Sequence, residues 1–141
     1  MTIALDMDLS IQVKRLIKSV PKQCYKNAFM AINRIDLLAG ALYVEGWGVT
    51  EGIHSLAIEH GWIELNNKII DPTIPGEILE YYPVKKYTRD EMRAAYQKNN
   101  ELPFMWAAKN NYSDCKKARD LALKSSNNIK QSNREKLKGK P

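Results

Sequence analysis

The first part of the chain carries the hydrophobic spacing of α-helices. Residues 8–19 place apolar side chains at intervals compatible with a short helix, for which Asp8 or Ser10 could act as the N-terminal cap. From residue 22 to about residue 35, apolar positions recur at i, i+3, i+4 and i+7, which predicts a second helix with one apolar face. That face consists of Tyr25, Ala28, Phe29 and Ile32.

The middle of the chain changes to the composition and spacing of β-strands. Four strands are predicted, at residues 41–49, 55–65, 68–71 and 79–87. Asn66 and Asn67 suit a two-residue hairpin turn, because asparagine tolerates the positive φ angles that such turns require. Pro83 cannot donate to a neighbouring strand, so it favours an edge strand or a bulge. We therefore expect an antiparallel sheet.

Helical patterns return after the last predicted strand. The segment from Thr88 to Glu91 fits a capping box, which opens a helix running to about Lys98. Further helices are predicted at residues 103–110 and 113–125. The predicted fold class is α+β, with N-terminal helices packed on an antiparallel β-sheet and followed by C-terminal helices.

Composition places the chain among single-domain globular proteins. It has 141 residues, of which 44% are hydrophobic and 27% charged, and these values exclude a largely disordered chain. No apolar run reaches the roughly 20 residues of a membrane span, and the N-terminal segment is acidic where a secretory signal would be basic. Two cysteines are too few for a disulfide scaffold or a cysteine-based zinc site. We expect a cytoplasmic protein with reduced thiols and no membrane contact.

The net charge of +6 is confined to the end of the chain. Residues 113–141 contain nine basic and three acidic residues, whereas residues 1–112 contain thirteen of each. From residue 126 the sequence is polar and basic with little to bury, which predicts a single domain at 1–125 and a disordered basic tail at 126–141. A tail without aromatic residues argues against nucleic acid as a partner.

The predicted hairpin brings a histidine and an aspartate together. If Asn66 and Asn67 form the turn, Trp62 pairs with Asp71, and His60 becomes a diagonal neighbour of Asp71 on the same face of the sheet. Backbones at such positions lie about 7–8 Å apart, close enough for imidazole and carboxylate to meet. A carboxylate in this position fixes the histidine tautomer, orients the ring and stabilises the imidazolium.

Cys24 is the candidate third member of this group, because it falls in the first turn of the second predicted helix. The positive end of a helix dipole and a nearby imidazolium both favour the reactive thiolate form of a cysteine. The backbone N–H groups of a first helical turn lack intrahelical acceptors, so that of Cys24 could also face a developing oxyanion.

Three segments resemble the core of the transglutaminase-like branch of the papain-like cysteine-enzyme superfamily. They are QCYKNAFMAI at 23–32, YVEGWGV at 43–49 and EHGWIELNNKIIDPT at 59–73. That family places a cysteine at a helix start, a histidine on a strand within an H-x-W motif, and an aspartate on the next strand, often as D-P-T. The resemblance covers about residues 21–75.

The resemblance implies a small papain-like fold with a catalytic triad. By position, Cys24 matches the nucleophile, His60 the general base and acid, and Asp71 the orienting carboxylate. The implied activity is that of a thiol-dependent hydrolase or acyltransferase, which acts through a thioester and without a cofactor. Its bond would be an amide in a peptide, an isopeptide or a glutamine side chain, so the expected partner is a protein or peptide substrate.

Three further residues are weaker candidates for contact with the substrate or the oxyanion. Gln23 could complete an oxyanion hole by its position beside the cysteine. Trp62 shares the predicted face of the histidine and aspartate, where it could exclude water from them or simply pack in the core. Trp47 lies between two glycines and could line a substrate cleft, with packing as the equal alternative.

Other interpretations remain open at the level of sequence. The fold could serve as a catalytically inactive module that engages a protein partner. A metal site built from His54, His60 and Asp71 ranks below both, and we expect no bound metal. Cys115 matches no catalytic motif in the sequence and is expected to be structural. Of the adjacent Tyr81 and Tyr82, one should face inward and the other could touch a partner. The oligomeric state is left open.

Overall fold

The computed structural model describes residues 3–100, 103–108 and 113–139, and its fold class is α+β, as the sequence predicts. The strands, in chain order, are β1 (Ala4–Leu5), β2 (Leu42–Thr50), β3 (Ala57–Leu65), β4 (Lys68–Ile70) and β5 (Ile78–Tyr87). The helices are α1 (Met7–Ile17), α2 (Cys24–Arg34), α3 (Arg89–Lys98), α4 (Phe104–Ala108) and α5 (Ser113–Lys138), and a 3₁₀ helix spans Asp36–Leu38.

The five strands form one sheet in the order β1-β4-β3-β2-β5. Strands β2 to β5 pair in antiparallel fashion, but β1 pairs in parallel with β4, so the prediction of a purely antiparallel sheet is wrong at this edge. Strand β1 has only two residues, which is too short to show a periodic pattern in the sequence. The backbone N–H of Asp6 extends this edge by donating to the carbonyl of Ile69 at 2.8 Å.

The turn between β3 and β4 has the predicted geometry. Asn66 and Asn67 adopt φ angles of 52° and 59°, the two positive values that a type I′ hairpin turn requires. Leu65 therefore pairs with Lys68, and the ladder continues to Ile63 and Ile70. Strand β4 ends there, so Asp71 leaves the sheet one residue earlier than predicted.

Pro83 lies where its missing N–H is tolerated. It belongs to β5, which is an edge strand, and the pairing shifts there from Glu45 opposite Lys85 to Gly46 opposite Pro83, which marks a bulge. Both alternatives predicted for this proline are thus confirmed. A side chain at Gly46 would lie 2.2 Å from the carbonyl oxygen of Tyr82, so the close approach of β5 requires glycine.

The main core lies between the sheet and helices α1, α2 and α3. Its buried members are Val13, Ile17, Ala28, Ala31, Ile32, Leu38, Ala41, Tyr43, Ile63, Ile70 and Met92. The capping box at the start of α3 is confirmed, because Thr88 and Glu91 exchange side-chain-to-backbone hydrogen bonds. The predicted caps of α1 are wrong: Asp6 caps it by accepting from the N–H of Leu9 at 3.0 Å, and Ser10 is buried within the helix.

The end of the chain differs most from the sequence prediction. Residues 126–138 continue α5 where a disordered tail was expected, and residues 140–141 lie outside the described part. The helix buries a narrow stripe of small side chains, which carries little hydrophobic signal: Cys115, Ala118, Ala122 and Ser126. Ser126, only 2% exposed, donates to the carbonyl of Ser55 at 2.9 Å and fastens the helix to the loop after β2.

The predicted helix at 103–110 is present as α4, and its last two predicted residues, 109 and 110, lie outside the described residues. Within residues 3–100, 103–108 and 113–139, no helix combines the length and the apolar character needed to cross a membrane.

Candidate active site

Cys24 is the first residue of α2 and opens onto a wide cleft. Its thiol is free and half-buried. The cleft has a volume of about 1080 Å³ and lies between α2, α3 and α4. It is lined by Lys22, Gln23, Cys24, Tyr25, Lys26, Phe29, Met30, Arg34, Glu59, Arg93, Tyr96, Gln97, Pro103 and Trp106.

A glycine on β3 lets α2 approach the sheet at this point. A Cβ atom at Gly61 would lie 2.7 Å from the Cδ1 atom and 3.2 Å from the Cα atom of Tyr25. Any side chain would therefore press against the first turn of α2, which carries Cys24. Gly61 follows His60 directly, so the same close approach brings the cysteine to the histidine.

His60 links the other two members of the predicted triad. It is 1% exposed, and its Nε2 atom lies 2.7 Å from Oδ2 of Asp71. Burial lowers the pKa of His60, but hydrogen bonds to Asp71 and to the Cys24 thiol outweigh burial and raise that pKa to about 9. Since Nε2 is engaged by Asp71, Nδ1 is the ring nitrogen left to face the thiol. The structure thus brings Cys24, His60 and Asp71 together.

Asp71 is fully buried and has a complete set of hydrogen-bond donors. Its Oδ1 accepts from the backbone N–H groups of Thr73 and Ile74, at 3.0 and 3.1 Å, which closes the turn at Asp-Pro-Thr. Its Oδ2 accepts from the hydroxyl of Tyr81 at 2.8 Å as well as from His60. Burial raises the pKa of Asp71, but the hydrogen bond and charge of His60 and the Tyr81 hydroxyl bring the pKa below its ordinary value.

Two aromatic rings enclose the histidine and aspartate. Trp62 is 0% exposed, and its ring lies 6.0 Å from that of His60, nearly parallel to it. The ring of Tyr81 meets Trp62 edge-on at 5.0 Å and lies 6.2 Å from His60. Trp62 therefore combines both roles predicted for it, since it packs in the core and covers the imidazole.

Gln23 and Trp47 occupy different environments. Gln23 is exposed, lines the cleft beside Cys24, and forms no side-chain cap on α2, so its amide can turn toward a ligand. Trp47 instead packs against a cluster formed by Tyr25, Met105 and Cys115. Of its two predicted roles, the structure shows packing.

The residues that fix the turn after β4 were not predicted from the sequence. Asn27 on α2 bonds both the N–H and the carbonyl of Val20 and donates to Oγ1 of Thr73 at 2.9 Å. Ser10 accepts from the N–H of Asp71 at 2.9 Å. The sequence signal for Asn27 and Ser10 was that each is a polar residue close to the apolar face of a predicted helix. In the sequence, Tyr81 is distinguished only as one of two adjacent tyrosines.

The remaining candidates are not part of the histidine–aspartate group, although Cys115 belongs to the buried cluster against which Cys24 packs. Cys115 is buried against Met105, and burial raises the pKa of its thiol. His54 is exposed in the loop between β2 and β3. Among the described residues, no three histidine, cysteine, aspartate or glutamate side chains are grouped so as to hold a metal ion.

The arrangement supplies a thiol on an open cleft, a histidine behind it and a buried carboxylate behind the histidine. Comparison with protein-family models, with curated proteins and with solved structures returns no match to the chain.

Proposed function

We propose that the protein is a thiol-dependent hydrolase or acyltransferase that acts on an amide bond through Cys24, His60 and Asp71. The observation that carries the proposal is the convergence of three groups: the buried Asp71 carboxylate holds the His60 imidazole at 2.7 Å, and the half-buried Cys24 thiol lies close enough to that imidazole to raise its pKa. A histidine with a raised pKa favours the thiolate–imidazolium pair, which is the reactive state of such enzymes.

In the first step, the Cys24 sulfur attacks the carbonyl carbon of the amide. The backbone N–H of Cys24 has no intrahelical acceptor, because it belongs to the first turn of α2, and it can donate to the developing oxyanion. The exposed amide of Gln23 is the second candidate donor. His60 then gives its proton to the leaving amine, while Asp71 holds the ring in position.

In the second step, water or an amine attacks the resulting thioester and releases the acyl group. His60 removes the proton from this nucleophile and returns to the imidazolium as the thiolate leaves. Trp62 and Tyr81 cover the side of the histidine next to Asp71, so solvent reaches the reaction from the Cys24 side. Hydrolysis, glutamine deamidation and amine transfer all proceed through this thioester.

The arrangement of elements supports a transglutaminase-like, papain-like core as part of the same proposal. The cysteine begins a helix, the histidine lies on the central strand of the sheet, and the aspartate follows the next strand through a short hairpin. This is the order that the sequence resemblance implies. A cytoplasmic enzyme with reduced cysteines and a protein or peptide substrate completes the proposal.

Alkylation by iodoacetamide at different pH values tests this function. An ordinary thiol is less than about 1% thiolate at pH 6, so an activated cysteine should react about a hundredfold faster than glutathione at that pH. We expect mass spectrometry of the Cys115→Ala variant to show this rate at Cys24, and the Cys24→Ala variant to remain almost unlabelled. A Cys24 that reacts no faster than glutathione would instead indicate an inactive module that engages a protein partner.

A glycine pair tests the geometry in the same assay. Gly61→Ala should displace the first turn of α2 and slow Cys24 alkylation at pH 6 by about tenfold or more, since small misplacements of reacting groups are costly. Gly40→Ala is the matched control, because a Cβ atom there meets nothing within 4 Å. Equal rates for the two variants would contradict the role assigned to the α2–β3 contact.

A further inference from the structure

One wall of the Cys24 cleft carries positive charge along its length. Lys26, Met30 and Arg34 lie at successive i, i+4 positions of α2, so they share one face, and all three line the cleft. Arg93 of α3 also lines it, and its Nε atom donates to Oδ1 of Asn33 at 2.6 Å, which holds α3 beside the end of α2. The basic strip, formed by Lys26, Arg34 and Arg93, therefore leads away from the cysteine along the helix.

These cations are available to a ligand. Among the described residues, no ion pair joins Lys22, Lys26 or Arg34 to a carboxylate. Arg93 approaches Asp90 of its own helix only at 3.9 Å, and both side chains are more than half exposed, so that contact is weak. The cleft lining thus contains four basic residues, while Glu59 is its single acidic member among the described residues.

We propose that the acyl donor is an acidic peptide segment whose carboxylates bind Lys26, Arg34 and Arg93 while its reacting carbonyl lies at Cys24. This inference rests on the proposed thiol chemistry and adds the substrate class. About ten residues of helix separate Cys24 from Arg34, a distance of about 15 Å. An extended peptide covers that distance with about four or five residues, at about 3.3 Å each. Acidic residues within about five positions of the reacting carbonyl are therefore the ones recognised.

Two aromatic residues of the cleft suit a peptide ligand. Phe29 and Tyr96 both line it, and their rings stack on each other with centroids 4.6 Å apart. This stacked pair gives the cleft an apolar floor. Such a floor suits the aliphatic part of glutamate side chains, whose carboxylates then reach the basic strip.

Peptidyl chloromethyl ketones test the inference on the full chain, because the Cys24 thiolate forms a thioether with the methylene carbon and chloride leaves. The acidic probe is an acetylated tetraglutamyl-glycine chloromethyl ketone, and the neutral probe replaces every glutamate with glutamine, so the two differ only in charge. We expect the acidic probe to inactivate Cys24 at least about tenfold faster at low salt, with the preference shrinking as salt rises.

Two double variants locate the origin of this preference. Lys26→Gln/Arg34→Gln removes two cations from the basic strip and should abolish the preference for the acidic probe. Lys14→Gln/Lys124→Gln removes the same number of charges at exposed positions outside the cleft and should keep the preference.

Iodoacetamide at pH 6 serves as the charge-free control that separates the two proposals. Unchanged iodoacetamide rates in the Lys26→Gln/Arg34→Gln variant, with the peptide preference lost, would support an acidic acyl donor. Equal rates for the two peptide probes, or competition by an oligothymidylate as strong as that by a free tetraglutamate peptide, would overturn the inference and leave the thiol chemistry standing. A Cys24 that is inert to iodoacetamide as well would overturn both.

Discussion

Asp71 and Glu45 are both fully buried, and their carboxylates accept hydrogen bonds from the same kinds of neutral donor. Each accepts one tyrosine hydroxyl, from Tyr81 and Tyr43 respectively, and two consecutive backbone N–H groups. Burial raises the pKa of both carboxyls, but only Asp71 also faces His60, and only its pKa falls below the ordinary value. Neutral donors satisfy a buried carboxylate, and the pairing with a cation keeps it ionised.

The two carboxylates therefore have different roles. Glu45 accepts from the N–H groups of Phe104 and Met105, so it anchors the start of α4, which contributes Trp106 to the wall of the cleft. Asp71 holds the imidazole that faces the thiol. One carboxylate connects two parts of the fold, while the other supplies a counter-charge to the proposed reaction.

The largest expected effect comes from removing that counter-charge. Asp71→Asn keeps the shape of the side chain but leaves the His60 imidazolium unpaired, so the thiolate–imidazolium pair is lost. We expect Cys24 alkylation at pH 6 to slow about a hundredfold, toward the rate of an ordinary thiol. Glu45→Gln is the matched control and should stay within about threefold of the native rate, as measured by mass spectrometry. Equal slowing of Cys24 alkylation in both variants would show that the two carboxylates do not differ in their effect on the thiol.

The second expected effect is a loss of stability at alkaline pH. Because the pKa of His60 is raised to about 9, its contribution to folding is fully present below about pH 6.5, the ordinary value. As the pH rises through about 9, this contribution is lost, and the free energy of unfolding falls by roughly 3 kcal/mol. Urea unfolding between about pH 6.5 and 10 should show this decrease in the native protein and in Glu45→Gln. His60→Gln should lack it, and a decrease of the same size there would assign the effect to another group.

The smallest expected effect separates the two tyrosines. Tyr81→Phe and Tyr43→Phe each remove one hydroxyl from a buried carboxylate, and each should lower the free energy of unfolding by about 1–2 kcal/mol. Only Tyr81→Phe should slow Cys24 alkylation, by about tenfold or less, because only Asp71 acts on the histidine. A slower reaction in Tyr43→Phe of similar size would show that both regions influence the thiol.

The parts of the site that depend on local geometry were predictable from the sequence. Two asparagines fix the hairpin, the hairpin fixes the register, and the register places Asp71 directly after β4, near His60. Cys24 was found because a helix start is also a local feature. The resemblance to a known family then connected segments that local geometry alone leaves separate.

The parts that depend on distant segments were not predictable. Tyr81 reaches Asp71 across the sheet, and Asn27 reaches Thr73 across 46 positions of the chain. Glu45 would be assigned to a solvent-facing strand position on polarity alone, since the backbone N–H groups that it accepts from belong to Phe104 and Met105, far along the chain. The helix after residue 126 was missed for a related reason, because the small residues that it buries do not stand out from a polar sequence.

The tight turn at Asn66 and Asn67 restricts how many residues can be inserted between His60 and Asp71. Side chains alternate between the two faces of a sheet, so one residue inserted between His60 and Asp71 would place the carboxylate on the face opposite the imidazole. Two inserted residues, one in each strand beside the turn, would restore the alignment. A lengthened hairpin can therefore preserve the pair when the insertion is even-numbered, and this constraint applies equally to natural variants and to redesigned loops.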